Sequence, residues 1–445
     1  MKQLLKFVLL FISAGIFAQA GHIMQGVGAV NMSMGGAATA QPLDISGAIQ
    51  WNPAALSTFN NKIINFDIGA FFSAPELSSV YGSLKGETLD DRGVSPMPAL
   101  AMVWGKEGSK HTFGASAFGI SGFGVTFPEN MNYPQDLMGN PNSNFNPSSP
   151  LNPINFPQYA GGFGHVESDY MLLQIGLTWA YEVTDNFSIG IQPNFDYATL
   201  KLEPNPLASP GAEGWPKSNK ATTIGYGAQF GLFYESDGGV KLGASYKTTQ
   251  KFTEFEFSNE YISSGSAAPD VNFQMDYPAI LSFGLGYSVK DFEIAVDYRW
   301  VDYENTEGFE ASGWTQTASV AGFGWSDVNI FSAGIQYKGI DKLPLRVGYT
   351  YSSNPISEEL AFFSIPATAV IKNAFQFGFG YEINDNFTLN GVYHHGASDG
   401  KTEGPMLSPM AIGAGNPLGA VPGTKVGYEM TTDMVMLGIS YTFSK

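Results

Sequence analysis

The sequence has no cysteine in its 445 residues, which rules out a disulfide framework, thiolate metal ligation and a thiol nucleophile. It is also poor in charge: Asp, Glu, Lys and Arg make up 14% of the chain, where ordinary soluble domains carry about 25%. A large water-facing surface would need more. Positive charge is the scarcer sign, with 22 basic against 40 acidic residues and a net charge of -18, so there is no basic face for nucleic acid or anionic lipid. Acidic loops of this kind keep a chain soluble in transit. Past the first twenty residues no apolar run reaches the ~20 residues of a spanning helix, which excludes a helical membrane protein. There is no G-x-S-x-G, and no catalytic residue is expected.

What the chain does have is aromatics, 14% of its residues, and 53 glycines. It begins with Lys2 and Lys6 around an apolar run from Leu4 to Phe17 that leads into Ala18, Gln19 and Ala20. A basic start, a short apolar stretch and an A-x-A site read as a secretory signal peptide over residues 1–20, cut between Ala18 and Ala20.

The dominant pattern is alternation with a period of two, the signature of a strand with one apolar and one polar face. Phe187, Ile189, Ile191, Phe195 and Tyr197 interleave with Ser188, Gly190, Gln192, Asn194 and Asp196. Met171 to Tyr181 and Phe292 to Trp300 repeat it. A single such strand would suit a soluble sandwich equally well, so the connections decide. Strands are expected at 62–72, 96–105, 110–127, 168–182, 186–202, 221–235, 239–258, 276–289, 291–303, 327–338, 342–353, 372–384, 386–397 and 431–443. Tight turns at Glu107 to Ser109, Thr184 to Asp185, Ser236 to Gly238, Lys290, Gly339 to Asp341 and Asp385 alternate with long polar or Pro/Gly-rich loops. Short turns on one side, long loops on the other and an even strand count describe an outer-membrane barrel. Tyr181, Tyr234, Tyr287, Tyr337, Tyr381 and Tyr441 each close a strand that descends to a short turn or to the C-terminus, as a periplasmic aromatic girdle would. The last strand puts Val435, Leu437, Ile439, Tyr441 and Phe443 on one face, the kind of ending that barrel-assembly machinery reads.

The fold class is therefore all-β, a 14-stranded antiparallel transmembrane β-barrel spanning residues 62–445. Such a barrel is wider than side chains alone can fill. Residues 21–61, rich in small residues (Gly26, Gly28, Gly35, Gly36, Ala37, Ala38) and without sustained period, are expected to plug the lumen as an N-terminal hatch.

These residues resemble the FadL family, outer-membrane transporters of long-chain fatty acids and aromatic hydrocarbons. The resemblance starts at Ala20, Gly21, His22 and Ile23, runs through Gly35 to Ala38, and reaches Asn52, Pro53 and Ala54, similar to the family's hatch motif. Leu345, Arg346, Val347, Gly348 and Tyr349 with Asn354, Pro355 and Ile356 look like a family strand and loop. Tyr277, Pro278 and Ala279 with Gly284, Leu285, Gly286 and Tyr287 are similar to a family hairpin. The resemblance implies capture of ligand among extracellular loops, an apolar pocket, and sideways exit into the membrane through a kink in the third strand. Gly21, His22, Ile23, Asn52, Pro53 and Ala54 would then lie along the ligand path, and Gly122, Phe123 and Gly124 at the lateral opening, with Gly124 matching the kink glycine. The loop from Pro128 to His165, which would correspond to the capture loop, is rich in Asn, Pro and Ser and lacks a clear amphipathic helix.

Arg299 and Arg346 alternate with outward aromatics and should face the lumen, as candidate partners for a ligand carboxylate or, more in keeping with a barrel wall, for acids such as Glu293 and Asp297. His394 and His395 are adjacent, so on a strand they face opposite sides, and no metal site is expected. The reading is passive uptake of a hydrophobic small molecule by a monomer in the outer membrane of a Gram-negative envelope. Its partners would be outer-membrane lipid and the assembly machinery, with no cofactor and no nucleic acid. Two rivals are a barrel serving secretion or assembly through protein partners, and a porin for polar solutes. The hatch counts against the porin.

Overall fold

The computed structural model describes residues 22–444, so the signal-peptide reading and Gly21 lie outside the described residues. Fourteen antiparallel strands form the wall: β1 Lys62–Tyr81, β2 Val94–Trp104, β3 His111–Phe127, β4 Val166–Thr184, β5 Phe187–Glu203, β6 Ala221–Glu235, β7 Val240–Lys247, β8 Ala279–Val289, β9 Phe292–Asp302, β10 Val328–Tyr337, β11 Leu345–Ser352, β12 Ile371–Glu382, β13 Phe387–Ser398 and β14 Thr424–Thr442. Each pairs with its sequence neighbours, and β1 closes on β14 from Ile63 opposite Thr442 to Tyr81 opposite Thr424. Alternation sorts the faces. Phe66, Ile68, Leu437 and Ile439 are exposed on the outside, where lipid replaces water, while Asn65, Asp67, Gln174, Asp196 and Asp297 are buried inside. In the two-residue turn between β8 and β9, Lys290 has a positive φ of 52°.

Three strand ends differ from the expectation. β1 runs past residue 72 to Tyr81, paired with a return arm at Leu84–Leu89, and β14 starts at Thr424, not 431. Beyond the lipid band neither face has to be apolar, so the alternation ends while the ladder continues. The strand expected over 239–258 stops at Lys247. Asp276 takes the Phe252 amide and the Lys251 ammonium, and Phe255–Tyr261 joins Ala267–Phe273 and Pro216–Ser218 in a separate three-stranded sheet.

The lumen is filled by residues 22–58, nearly all buried. Within it are α1 (Ala29–Ser33), α2 (Ile45–Trp51) and a 3-10 turn (Pro53–Thr58). Asp44 caps α2 by accepting from the Gly47 amide at 3.0 Å. Asn52 accepts from the Ala54 amide at 3.1 Å, and Pro53 sits where a missing N–H costs nothing. The inward glycines of the wall explain the fit. A Cβ at Gly190 or Gly231 would strike Pro53 and Ala54, one at Gly243 would strike Thr39, and one at Gly348 would strike Gly35. Bare backbone lets wall and segment approach closely.

Candidate functional site

The wall is continuous except between β2 and β3. Their ladder runs from Trp104 opposite Phe113 to Ala99 opposite Phe118 and ends there, although β2 continues to Val94 along β1. Pro96 and Pro98 supply no N–H, which removes two donors from β2 at this height. On the other side of the break β3 slips register against β4 between Gly119 and Ser121, a bulge that re-aims the strand. The slip falls just before Gly122, Phe123 and Gly124 and not at Gly124 itself. Above the break the connection from β1 bonds to β3 again: the Thr126 amide donates to Asp90 Oδ1 at 2.5 Å and the Asp91 amide to the Thr126 carbonyl at 2.8 Å.

The free edge of β3 is taken by the start of the N-terminal segment. Ile23 bridges Ser121, the Met24 amide donates to the Ile120 carbonyl at 3.0 Å, and the Gly122 amide and Ser121 hydroxyl donate to the His22 carbonyl at 3.2 and 2.9 Å. His22 and Ile23 thus meet the Gly122–Gly124 stretch directly. Asn52, Pro53 and Ala54 lie elsewhere, against β5 and β6, where the Asn52 side-chain amide donates to the Leu232 and Thr39 carbonyls at 3.0 and 2.8 Å.

A cavity of about 380 Å³ opens at the break. Its lining includes Met171 and Tyr197 from the lipid-facing side and Met24, Tyr170, Leu172 and Met430 from the buried side, so one cavity spans the wall. Gly119, Gly122, Phe123 and Gly124 contribute its β3 edge, and Ser95, Pro96, Met97 and Pro98 its β2 edge. Arg92 crosses its upper rim, donating to the Ser168 carbonyl at 2.7 Å and to Asp169 at 2.6 Å. A Cβ at Gly124 would meet that guanidinium and would also lie 2.7 Å from the Ser168 backbone carbonyl oxygen, which cannot swing aside, so the position is kept bare. Arg92 was not singled out in the sequence, because nothing in a loop arginine marks what it will lie across. The Pro96/Pro98 pair inside a strand pattern was a readable signal of the break.

Both lumen arginines are engaged. Arg299 donates to Asp297 at 2.5 Å and to the Gly36 carbonyl at 2.6 Å, and its guanidinium lies 3.7 Å from the centre of the Trp51 ring. Arg346 donates to Gln336 at 2.7 Å and Asn390 at 3.2 Å, at a cavity of about 490 Å³ with charged lining (Asp44, Lys338, Lys342, Glu382). Glu293 pairs with Lys338 and not with either arginine. His394 is buried beside Gln376, while His395 lies on the outer face against Asp433.

Burial pushes the His22 imidazole down to about 3, and pushes the Asp44 carboxyl up to about 6 despite the Gly47 amide and Arg346.

A fourteen-stranded membrane barrel with an occupied lumen and a wall-spanning cavity defines the class: an outer-membrane transport protein. The sequence model of the outer membrane protein transport protein family (OMPP1/FadL/TodX) matches residues 151–406, more than half of the chain, and the chain belongs to that family. Members are transport channels, not enzymes. The long-chain fatty acid transport protein of Salmonella typhi is 22% identical over 404 residues, covering 81% of this chain and 84% of that protein. The protein of the same name in Escherichia coli K12 is 21% identical over 415 residues, with 81% and 84% covered. Among solved structures, a Pseudomonas aeruginosa FadL homologue superposes with a TM-score of 0.69 at 13% identity, covering 96% of this chain and 100% of that one. The Pseudomonas putida toluene transporter TodX gives 0.66 at 17%, covering 95% and 99%.

Proposed function

We propose that this chain takes up hydrophobic molecules, long-chain fatty acids or aromatic hydrocarbons, and releases them sideways into the outer membrane through the break between β2 and β3. The cavity that reaches from the lumen to the lipid-facing surface carries this reading. Its lining is mainly apolar, so a ligand leaving by it stays out of water. The extracellular loops hold a small apolar cavity lined by Phe163, Trp215, Trp314 and Phe362, suited to first capture. The cavity at Arg346 is charged and a poor route for a hydrophobe. Residues 22–58 act as a hatch that keeps the aqueous route shut, and the similarity to fatty acid and toluene transporters agrees with the substrate class.

The test is uptake of labelled oleate and labelled toluene by cells that depend on this protein, comparing the natural chain with Ser95→Trp, which fills the cavity from β2. Uptake should fall at least tenfold while the barrel still assembles. Undiminished uptake in the variant would end the lateral route. Absence of protein-dependent uptake of either compound, with the barrel in place, would replace transport by the role of a secretion or assembly partner.

A further inference from the structure

The two buried arginines of the lumen differ in one respect. Arg299 has Asp297 beside it, whereas Arg346 has no carboxylate within ion-pair distance among the described residues. Arg346 is 5% exposed, and its guanidinium is held by two neutral acceptors, Gln336 Oε1 on Nε and Asn390 Oδ1 on Nη1. Nη2 makes no hydrogen bond among the described residues. Asp44, the acid of the enclosed segment that shares the same cavity, spends its oxygens on the Gly47 amide at 3.0 Å and the Asn65 side chain at 3.3 Å. A guanidinium stays ionised in a protein, and a buried charge without a counter-charge is costly.

The space beside this charge is the cavity of about 490 Å³ at the end of the barrel that carries the short turns. That is the periplasmic end of an outer-membrane barrel. Lys342 stands exposed at its mouth with a φ of 57°, and its ammonium has no partner among the described residues. A non-glycine residue held in that conformation is a sign of function more often than of chance. Lys338 is taken by Glu293. Asp341 and Glu382 also line the mouth, but both are exposed to water, which screens their charges far more than that of a buried guanidinium. Ile45, Phe59 and Ile63 give the same space an apolar wall.

We infer that this cavity is a binding site for a short organic acid arriving from the periplasm, its carboxylate on Arg346 and its apolar body against Ile45, Phe59 and Ile63. A carboxylate accepts charge-assisted bonds from the open Nη2 end and supplies the counter-charge that the fold leaves out. Inorganic phosphate would bring the charge but leave the apolar wall wet, and a neutral alcohol would cover the wall but leave the charge. The cavity shares no lining residue with the one between β2 and β3, so the site stands independently of the transport route.

The experiment is isothermal titration calorimetry of the purified barrel in a non-ionic detergent at low salt, with benzoate, benzyl alcohol and inorganic phosphate as probes, for the natural chain and Arg346→Gln. The natural chain should bind benzoate saturably, and benzyl alcohol and phosphate at least tenfold more weakly. Arg346→Gln should lower the affinity for benzoate at least tenfold, the value of about one hydrogen bond to a charged group. Absence of saturable benzoate binding, equal binding of benzyl alcohol or phosphate, or undiminished benzoate binding in Arg346→Gln would each overturn the assignment. Should Arg346→Gln fail to assemble, Thr388→Trp serves instead: it fills the cavity from β13 while leaving Arg346, Gln336 and Asn390 in place. It should bring the same loss, and undiminished benzoate binding there overturns the assignment as well.

Discussion

The segment inside the barrel is held in two different ways along its length. From Ala29 to Trp51 it is tied to polar side chains of the wall. Asp297 Oδ2 accepts from the Ala38 and Thr39 amides at 3.0 and 2.9 Å and from the Thr39 hydroxyl at 2.7 Å, Asp67 accepts from the Ala29 amide at 2.9 Å, and Ser245 donates to the Trp51 carbonyl. From His22 to Met24 it is held by neutral backbone pairing on a strand edge that exists only because the wall is broken there, and by aromatic contact. Charge-assisted bonds in a dry interior are stronger than neutral ones. The body of the segment is therefore anchored by charge-assisted bonds, and its first residues by neutral ones and aromatic contact.

The largest way to break this contrast is Asp297→Ala, which strips four bonds and leaves Arg299 buried without its acid. It should weaken the body by about 3–5 kcal/mol, read as faster hydrogen exchange at Ala37 to Ala40 in a barrel that still assembles. Acidification from pH 7 to 4.5 should act on the two parts with opposite sign. His22 is held neutral, so its stabilisation is present above the unfolded value of 6.5 and is lost as pH falls towards 3. Asp44 favours its protonated form in the folded state, so its contribution is greatest below 3.8 and is lost as pH rises through about 6. Each amounts to about 2 kcal/mol across that interval, and exchange corrected for intrinsic rates should show residues 22–24 loosening while α2 tightens. Asp44→Asn should abolish the second effect and spare the first. Asn52→Ala removes the cap on the Ala54 amide and two donations to carbonyls, and should cost about 1–2 kcal/mol, seen as protease access around Trp51 to Leu56. Ser121→Ala removes one bond to the His22 carbonyl and should loosen residues 22–24 alone, by about 1 kcal/mol in the same exchange measurement.

Local signals carried most of the architecture. Alternation, which the lipid face imposes on every strand that crosses it, marks all fourteen wall strands, and the turn residues set their order. The upper parts of β1 and β14 lie beyond that constraint and left no pattern to read. The break between β2 and β3 announced itself only through Pro96 and Pro98, because the loss of a ladder is a relation between two strands. His22 stood out only by resemblance. The rings that surround it come from positions as far apart as 123 and 325 and carry no mutual spacing along the chain.

The sequence by itself determined the class of fold, the strand count and the presence of a long non-strand segment before the barrel, since each is written in short-range periodicity and composition. Only the tertiary structure decided that Arg299 is consumed by Asp297 and Trp51, that Gly124 lies against Arg92 and the Ser168 carbonyl, and that the first described residues pair with the edge of β3. Those facts depend on how barrel closure brings distant strands and the enclosed segment together. A period of two says which way a side chain points and not what it meets.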